Sequence, residues 1–112
     1  MEIVTEPRTA QQVVVRVAGR VDAETCHLLR QQLVDLAGRS VTRVTLDMSA
    51  VSFLDSSGLS ALVAGLKALR QVGGGLNLAA PRSQARTALR LTLLDTILPI
   101  FETVDEAVTA LT

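Results

Sequence analysis

The sequence predicts an α/β fold with a single mixed, mostly parallel β-sheet and helices packed on it. Segments rich in β-branched residues alternate with segments of helical periodicity in the order β-β-α-β-α-β-α-β-α, which is typical of parallel sheets covered by helices. Of the 112 residues 48% are hydrophobic and only 2% aromatic, so the core must consist of Val, Leu, Ile and Ala. This length predicts one domain, spanning residues 1–112.

The first half of the chain is predicted to contain two strands, a helix and a central strand. Gln12–Ala18 is rich in β-branched residues, and residues 2–6 are placed to pair with it as a first strand. Asp22 is a good helix N-cap, because its carboxylate can accept hydrogen bonds from the first free backbone N–H groups. Gly38 ends that helix, and Val41–Met48 follows as a strand. The apolar residues at helical spacing are Leu29, Leu33 and Leu36.

The second half continues the alternation. After the apolar run Val51–Leu54 comes a second helix, which ends at Gly73–Gly75, and Leu76–Ala80 is the next strand. The apolar face of this helix is Leu59, Leu62, Val63, Leu66 and Leu69. Pro81 and Ser83 open a third helix. Its apolar residues are Ala85, Ala88, Leu89 and Leu91.

The last segment is predicted to form an edge strand and a short helix. Ile97–Phe101 contains Pro99, which is typical of a sheet edge or of the entry to a strand. Thr103 or Asp105 then caps a terminal helix. The apolar side of that helix is Val104, Ala107, Val108 and Leu111.

The composition argues against several classes of function. Formal net charge is zero, whereas binding to nucleic acid needs a basic excess, so no direct nucleic-acid contact is expected. Cys26 is the only cysteine, so neither an intrachain disulfide nor a cysteine-based metal site can form. The first residues lack the basic start of a signal peptide, and the apolar runs are too short to span a membrane. We therefore expect a cytoplasmic protein with no membrane insertion and no cofactor.

Two motifs suggest chemistry but have simpler interpretations. Gly73–Gly75 lies between a helix and a strand and has no lysine, so it fits a helix stop better than a phosphate-binding loop. His27 is the only histidine, and a Ser-His-acid device would have to combine it with Ser56 or Ser57. Leu54 stands where the first glycine of a Gly-x-Ser-x-Gly elbow belongs, which favours a surface or half-buried histidine.

Four carboxylates invite comparison with a metal site, namely Asp22, Glu24, Asp47 and Asp55. Asp47 ends a strand and Asp55 follows one, so both are expected near one edge of the sheet, where a divalent cation is conceivable. Their spacing is irregular, which favours turn and capping roles.

The segment Asp55–Leu59 (DSSGL) is the most informative in the chain. It follows an apolar run and opens a helix, so its two hydroxyls are expected at an exposed strand-to-helix corner. Asp, Ser and Gly are ordinary residues at helix starts, and a modification site has a similar composition. From these five residues alone, N-capping by the serines is therefore favoured over a modification site.

This corner resembles the signature of the STAS domain family, specifically of bacterial anti-sigma factor antagonists. The resemblance extends to Gly19–Asp22, Val44–Met48, Val51–Leu54, Gly74–Leu78 and Leu94–Val108. These segments occur in the family order over nearly the whole chain. The resemblance implies a STAS fold and a single STAS domain.

The resemblance also implies a partner-switching regulator that is not an enzyme. The unmodified protein would bind an anti-sigma factor, a histidine-kinase-like ATPase acting as a serine kinase, and so free the sigma factor. The kinase would then phosphorylate Ser56, the first hydroxyl residue after the aspartate of the motif, and a metal-dependent Ser/Thr phosphatase would restore it. Asp22 matches a family position implicated in the kinase contact. The implied partner-binding residues are Asp22, Asp55, Ser56, Ser57, Gly58 and Leu59.

Three positions qualify these expectations. Gly58 is expected to leave the backbone beside the hydroxyl uncovered, so that the ATP end of a kinase can approach. Ser60 and Leu93 stand where many members have glycine. Ser60 is expected to restrict the approach of a partner, and Leu93 is expected to change the end of the third helix.

The same resemblance leaves open an alternative function, as an accessory subunit of a lipid-transport ABC system or of a larger signalling assembly, without phosphorylation.

Overall fold

The computed structural model describes residues 1–112 as a five-stranded sheet with four α-helices and one short 3-10 helix. The strands are β1 (Glu2–Pro7), β2 (Gln12–Val21), β3 (Arg43–Leu54), β4 (Gly75–Ala79) and β5 (Ile100–Phe101). The helices are α1 (Cys26–Gly38), α2 (Ser56–Gln71), α3 (Ser83–Leu91) and α4 (Val104–Ala110), and the 3-10 helix spans Leu94–Thr96. The predicted order of strands and α-helices is confirmed, and the 3-10 helix is an addition to it.

The strands lie side by side in chain order, from β1 at one edge to β5 at the other. β1 runs antiparallel to β2, and the remaining neighbours are parallel, so the sheet is mixed and mostly parallel as predicted. β3 is central, and β5 lies at the edge that Pro99 predicted. The edge strand is only two residues long, because just Ile100 and Phe101 pair with β4.

β3 differs from its prediction in length. The strand begins at Arg43, two residues later than the predicted 41–48, and continues without a break through the run Val51–Leu54. β3 pairs with β2 throughout, with irregularities between Arg16 and Ala18 and between Gly19 and Arg20, but it pairs with β4 only over Arg43–Asp47. Such bulges let a strand continue where regular alternation breaks down, and the sequence pattern conceals that continuity.

The main core lies between the sheet and the pair α1 and α2. Alternate residues of β2, β3 and β4 face it, and with the buried leucines of both helices they form one hydrophobic cluster. Gly65 brings the two helices together, because a Cβ at that position would overlap the side chain of Leu33. The apolar face predicted for α2 is confirmed except at Val63, which is 36% exposed.

The opposite face of the sheet carries buried polar side chains beneath α4. Gln12 donates from Nε2 to the carbonyl of Val108 at 2.9 Å, and Asn77 donates from Nδ2 to the carbonyl of Ala107 at 2.8 Å. The hydroxyl of Thr45 donates to Asn77 Oδ1 at 2.7 Å. These bonds attach the C-terminal half of α4 to the sheet.

Two helix termini agree with their predictions, the start of α4 and the end of α2. Thr103 caps α4, since its hydroxyl accepts from the backbone N–H of Glu106 at 3.1 Å. α2 ends before Gly73, whose φ of +79° suits glycine, and β4 begins at Gly75. The interpretation of Gly73–Gly75 as a helix stop is therefore confirmed.

Candidate functional site

The serine corner lies where β3 passes directly into α2. Leu54 ends β3 beside Val21, the last residue of β2, and the N–H of Asp55 donates to the carbonyl of Val21 at 3.3 Å. Ser56 is the first residue of α2 and is exposed, whereas Ser57 is half-buried. The expectation of an exposed corner is thus met at Ser56.

Asp55, and neither serine, caps α2. Its backbone is extended, with φ −105° and ψ −173°, and its carboxylate accepts from the N–H of Gly58 at 3.0 Å. The predicted N-capping by Ser56 or Ser57 is wrong, because both residues already lie inside the helix. The Ser56 hydroxyl is consequently not needed to hold the helix start, and α2 can form whether or not that hydroxyl is modified.

Gly58 faces inward, contrary to the expectation that it leaves accessible backbone beside the hydroxyl. It is buried, and a Cβ placed there would lie 2.5 Å from Leu54 Cδ1 and 2.6 Å from the carbonyl oxygen of Val21. The glycine is needed so that α2 can start tightly against the ends of β2 and β3. The structure thus gives Gly58 a positioning role and gives Ser56 the exposed surface.

A shallow groove of about 480 Å³ begins at Ser56 and runs along α2. Its lining residues are Ser56, Leu59, Ser60, Val63, Ala64, Lys67, Thr92 and Leu94. Leu59 is only 8% exposed, so it supports the floor of this α2 groove more than its rim. Ser60 is exposed and also borders a smaller cleft with Cys26, Arg30 and Ser57.

Asp22 lies one residue after β2, at the same end of the parallel strands as the serine corner. It does not cap α1, which begins at Cys26 after Thr25. Its Oδ1 accepts instead from the backbone N–H of Glu24 at 3.0 Å and of Thr25 at 3.3 Å, because residues 22–25 form a turn before the helix. The prediction of Asp22 as a helix cap is therefore wrong, although its carboxylate does bind free backbone N–H groups.

The electrostatics of Asp22 favour its ionised form. Partial desolvation acts to raise its pKa, but the hydrogen bonds from Glu24, Arg20 and Thr25 together outweigh it, and the pKa is lowered. Arg20 Nε lies 3.3 Å from the carboxylate, and the Arg20 guanidinium lies over the ring of Phe53 at 4.4 Å from its centroid. No motif of the sequence marks Arg20 and Phe53, but their register across β2 and β3 brings them together.

The other candidate residues do not form a second site. Asp47 is buried and pairs with Arg16, which also binds Glu6 at 2.8 Å. No group of three His, Cys, Asp or Glu side chains is placed to hold a metal ion. His27 is exposed in the first turn of α1, as its surface interpretation predicted.

Leu93 occupies an unusual backbone conformation. Its φ of +61° and ψ of 16° are left-handed, and its side chain is 67% exposed. A left-handed residue other than glycine is strained, so this leucine marks the end of α3 at an energetic cost. The expectation that Leu93, in place of glycine, changes the end of the third helix stays a prediction.

No helix in the structure is both long and apolar enough to cross a bilayer. The family model for the STAS domain matches residues 1–107. The anti-sigma F factor antagonist of Paenibacillus polymyxa is 27% identical over 100 residues, which cover 88% of this chain and 86% of that protein. The structure of an anti-sigma factor antagonist from Mycobacterium paratuberculosis superposes with a TM-score of 0.87 at 32% identity, covering 98% of this chain and 92% of the other.

The anti-sigma factor antagonist SpoIIAA has been solved in two forms. The unphosphorylated form gives a TM-score of 0.84 at 24% identity, with 97% of this chain and 95% of SpoIIAA covered. The phosphorylated form of the Bacillus protein gives 0.78 at 23% identity, with 99% and 100% covered. At this level of identity the likeness to SpoIIAA shows a shared fold.

Proposed function

The chain belongs to the STAS domain family, and we propose that it is an anti-sigma factor antagonist whose binding is switched off by phosphorylation of Ser56. In the unmodified state it binds an anti-sigma factor of the histidine-kinase-like ATPase type and so releases the sigma factor. The same partner phosphorylates Ser56, and a metal-dependent Ser/Thr phosphatase removes the phosphate. The protein acts in the cytoplasm as the substrate of both enzymes.

The exposure of Ser56 at the first position of α2 carries this proposal. The hydrogen bond at the helix start is made by Asp55, so the serine hydroxyl is available to an external kinase. His27, the only histidine, is exposed in the first turn of α1 and makes no hydrogen bond to Ser56. An exposed hydroxyl that lacks a base in its own chain is suited to accept a phosphoryl group from a partner that supplies ATP and metal.

A phosphate at this position changes binding more than folding. The N-terminus of a helix favours negative charge through its free N–H groups and dipole, so α2 tolerates the modification. The added charge of about −1.5 to −2 lies next to the Asp55 carboxylate, in the surface that the partner must cover. An unpaired charge in a buried contact costs on the order of 3–5 kcal/mol, which lowers affinity roughly a hundred- to a few thousand-fold.

The surface around Ser56 supplies the remaining contacts. Asp22, Asp55 and Ser57 provide half-buried polar groups after the end of β2 and at the start of α2, and the α2 groove provides apolar area beside the acceptor. Gly58 and Leu59 contribute by fixing the helix start and the groove floor. SpoIIAA, which has the same fold and exists in a phosphorylated form, is consistent with a modification of this kind.

The test is intact-mass analysis after incubation with ATP and each candidate anti-sigma factor kinase from the source organism. We expect the wild-type protein to gain a single phosphate and Ser56→Ala to gain none. Ser57→Ala, the matched control one residue away, should still be phosphorylated. Labelling of Ser56→Ala but not of Ser57→Ala would move the acceptor to Ser57.

A pull-down from the native cells separates this proposal from the alternative of an accessory subunit. Recovery of a kinase of the stated type is the expected result. Recovery of an ABC ATPase without any such kinase would contradict the proposal.

A further inference from the structure

The strand that carries the acceptor extends beyond its neighbour on one side. β4 pairs with β3 only as far as Asp47, whereas β3 continues to Leu54. Since the N–H of Asp55 binds β2, the backbone groups of Leu54 point the other way, toward a position that no strand occupies. A partly buried backbone N–H and C=O without partners would be unfavourable, so something must replace the missing strand.

A side chain of α3 replaces it. Gln84 Oε1 accepts from the N–H of Leu54 at 2.9 Å, and Gln84 Nε2 donates to the carbonyl of Leu54 at 2.8 Å. The amide thus forms the same pair of bonds as the backbone of an adjacent strand. Arg82, at the start of α3, adds a bond from Nε to the carbonyl of Ser49 at 2.9 Å. Both contacts join the first turn of α3 to the overhanging part of β3.

This contact lies two residues before the acceptor. Leu54 is followed by Asp55, which caps α2, and then by Ser56. Leu54 also packs against Gly58, so its position sets the position of the first turn of α2. Gln84 is an exposed residue whose amide would otherwise be solvated, and in the structure both of its polar atoms are used on a single backbone residue.

We propose that Gln84 is a positioning residue for phosphorylation, holding the Leu54–Ser56 segment in the geometry that the kinase requires. The inference rests on the proposed function of Ser56. It makes α3 part of the machinery that presents the acceptor, although α3 does not itself contain the acceptor. Loss of the amide leaves the fold intact and lets the acceptor segment move.

The experiment compares Gln84→Ala with Thr87→Ala, an exposed residue of the same helix. With the kinase that phosphorylates the wild type, Gln84→Ala should lower kcat about tenfold, since small misplacements of a reacting group reduce rates strongly. KM should stay within about twofold, because Gln84 itself is not among the residues proposed to contact the partner. Thr87→Ala should match the wild type in both parameters. An unchanged kcat, or a loss confined to KM, would overturn the proposal.

A second measurement needs no kinase. Amide hydrogen exchange followed by NMR should show about tenfold or greater loss of protection at Leu54 in Gln84→Ala, because local opening exposes that N–H. Gln84→Glu keeps the hydrogen-bond acceptor, but while its carboxylate is ionised it cannot donate to the carbonyl of Leu54. The NMR resonances of Leu54 and Ser56 in this variant should therefore shift with pH, with a midpoint near or above the ordinary glutamate pKa of about 4.3. Wild-type protection of the Leu54 amide in Gln84→Ala would contradict the inference, even if Ser56 is the phosphate acceptor. Failure of every kinase to label the wild type would instead refute the proposed function and leave this measurement valid.

Discussion

The two ends of β3 are built in opposite ways. At its amino-terminal end β3 has a strand on each side, and the buried side chains of Gln12, Thr45 and Asn77 are hydrogen-bonded beneath α4. Only Arg43 Nε is buried there without a partner. At its carboxyl-terminal end it has one neighbouring strand and leads to the exposed Ser56. We call the amino-terminal end, with a strand on each side, the closed end, and the end that leads to Ser56 the open end. If the open end presents Ser56 to a partner as proposed, substitutions at the two ends should separate stability from binding.

The largest expected effect is on binding, at the open end. Ser56→Asp places a permanent charge in the partner surface and should weaken affinity for the anti-sigma factor by about 3–5 kcal/mol, or roughly a hundred- to a few thousand-fold. Its free energy of unfolding should stay within about 0.5 kcal/mol of the wild type, as for most surface substitutions. Titration calorimetry and urea denaturation measure the two quantities. Ser56→Ala is the control, and it should bind without being released in the presence of ATP. Wild-type affinity of Ser56→Asp would contradict the electrostatic account.

The next effect is on stability, at the closed end. A Cβ on Gly74 would overlap the carbonyl of Thr42, and that carbonyl cannot move freely because it accepts from the N–H of Gly75 at 2.8 Å. Gly74→Ala should therefore destabilise the fold by about 3 kcal/mol, at the upper end of the range for overpacking. Gly38→Ala is the matched control, since nothing lies within 4 Å of its Cβ, and it should be neutral or mildly stabilising. Equal urea midpoints for the two variants would show that the closed end is not tightly packed.

The sequence predicted the closed end better than the open one. Apolar periodicity located the strands and helices, because burial in the core is a property of each segment taken alone. Thr103, one of the two caps predicted for α4, is the one that the structure confirms. The residues that shape the corner interact across elements, and Gln84 binds Leu54 from 30 positions away, so no local pattern shows the pair.

The errors at the corner have a common cause. Asp22, Asp55, Ser56 and Ser57 are all residue types that cap helices, and composition does not say which of them lies just outside the helix. The close approach of Val21 and Leu54 to Gly58 decides where α2 begins, and with it that Asp55 is the cap. The same packing turned Gly58 inward, which sequence alone did not indicate.

A smaller loss of stability is expected from the buried polar network of the closed end. Asn77→Ala removes the donor to the carbonyl of Ala107 and the acceptor of the Thr45 hydroxyl, which leaves two buried polar groups unpaired. The expected destabilisation is about 2 kcal/mol in urea denaturation. Affinity for the anti-sigma factor should not change, since this network lies across the sheet from α2. The double variant Thr45→Val with Asn77→Leu also removes the Thr45 hydroxyl, which is one of the two unpaired groups. It should therefore be less destabilised than Asn77→Ala. A loss of affinity in Asn77→Ala would mean that the two ends are coupled.

The smallest effect on stability is expected at Asp22, at the open end, and it depends on pH. The pKa of this carboxylate is lowered in the folded protein, so ionised Asp22 stabilises the fold above the unfolded value of about 3.9, and this contribution disappears as pH falls through the folded pKa. Asp22→Asn should therefore have a slightly lower urea midpoint than the wild type at pH 7 and approach it as the pH falls through that range. Glu24→Gln changes the exposed carboxylate two residues along the chain, and it should leave the urea midpoint unchanged at pH 7 and at low pH. A deficit of Asp22→Asn that did not shrink as the pH fell would show that it does not come from the ionised carboxylate. Because a partly exposed ion pair contributes little to stability, the loss of Asp22 should lower affinity for the partner more than stability, which is the behaviour expected of the open end.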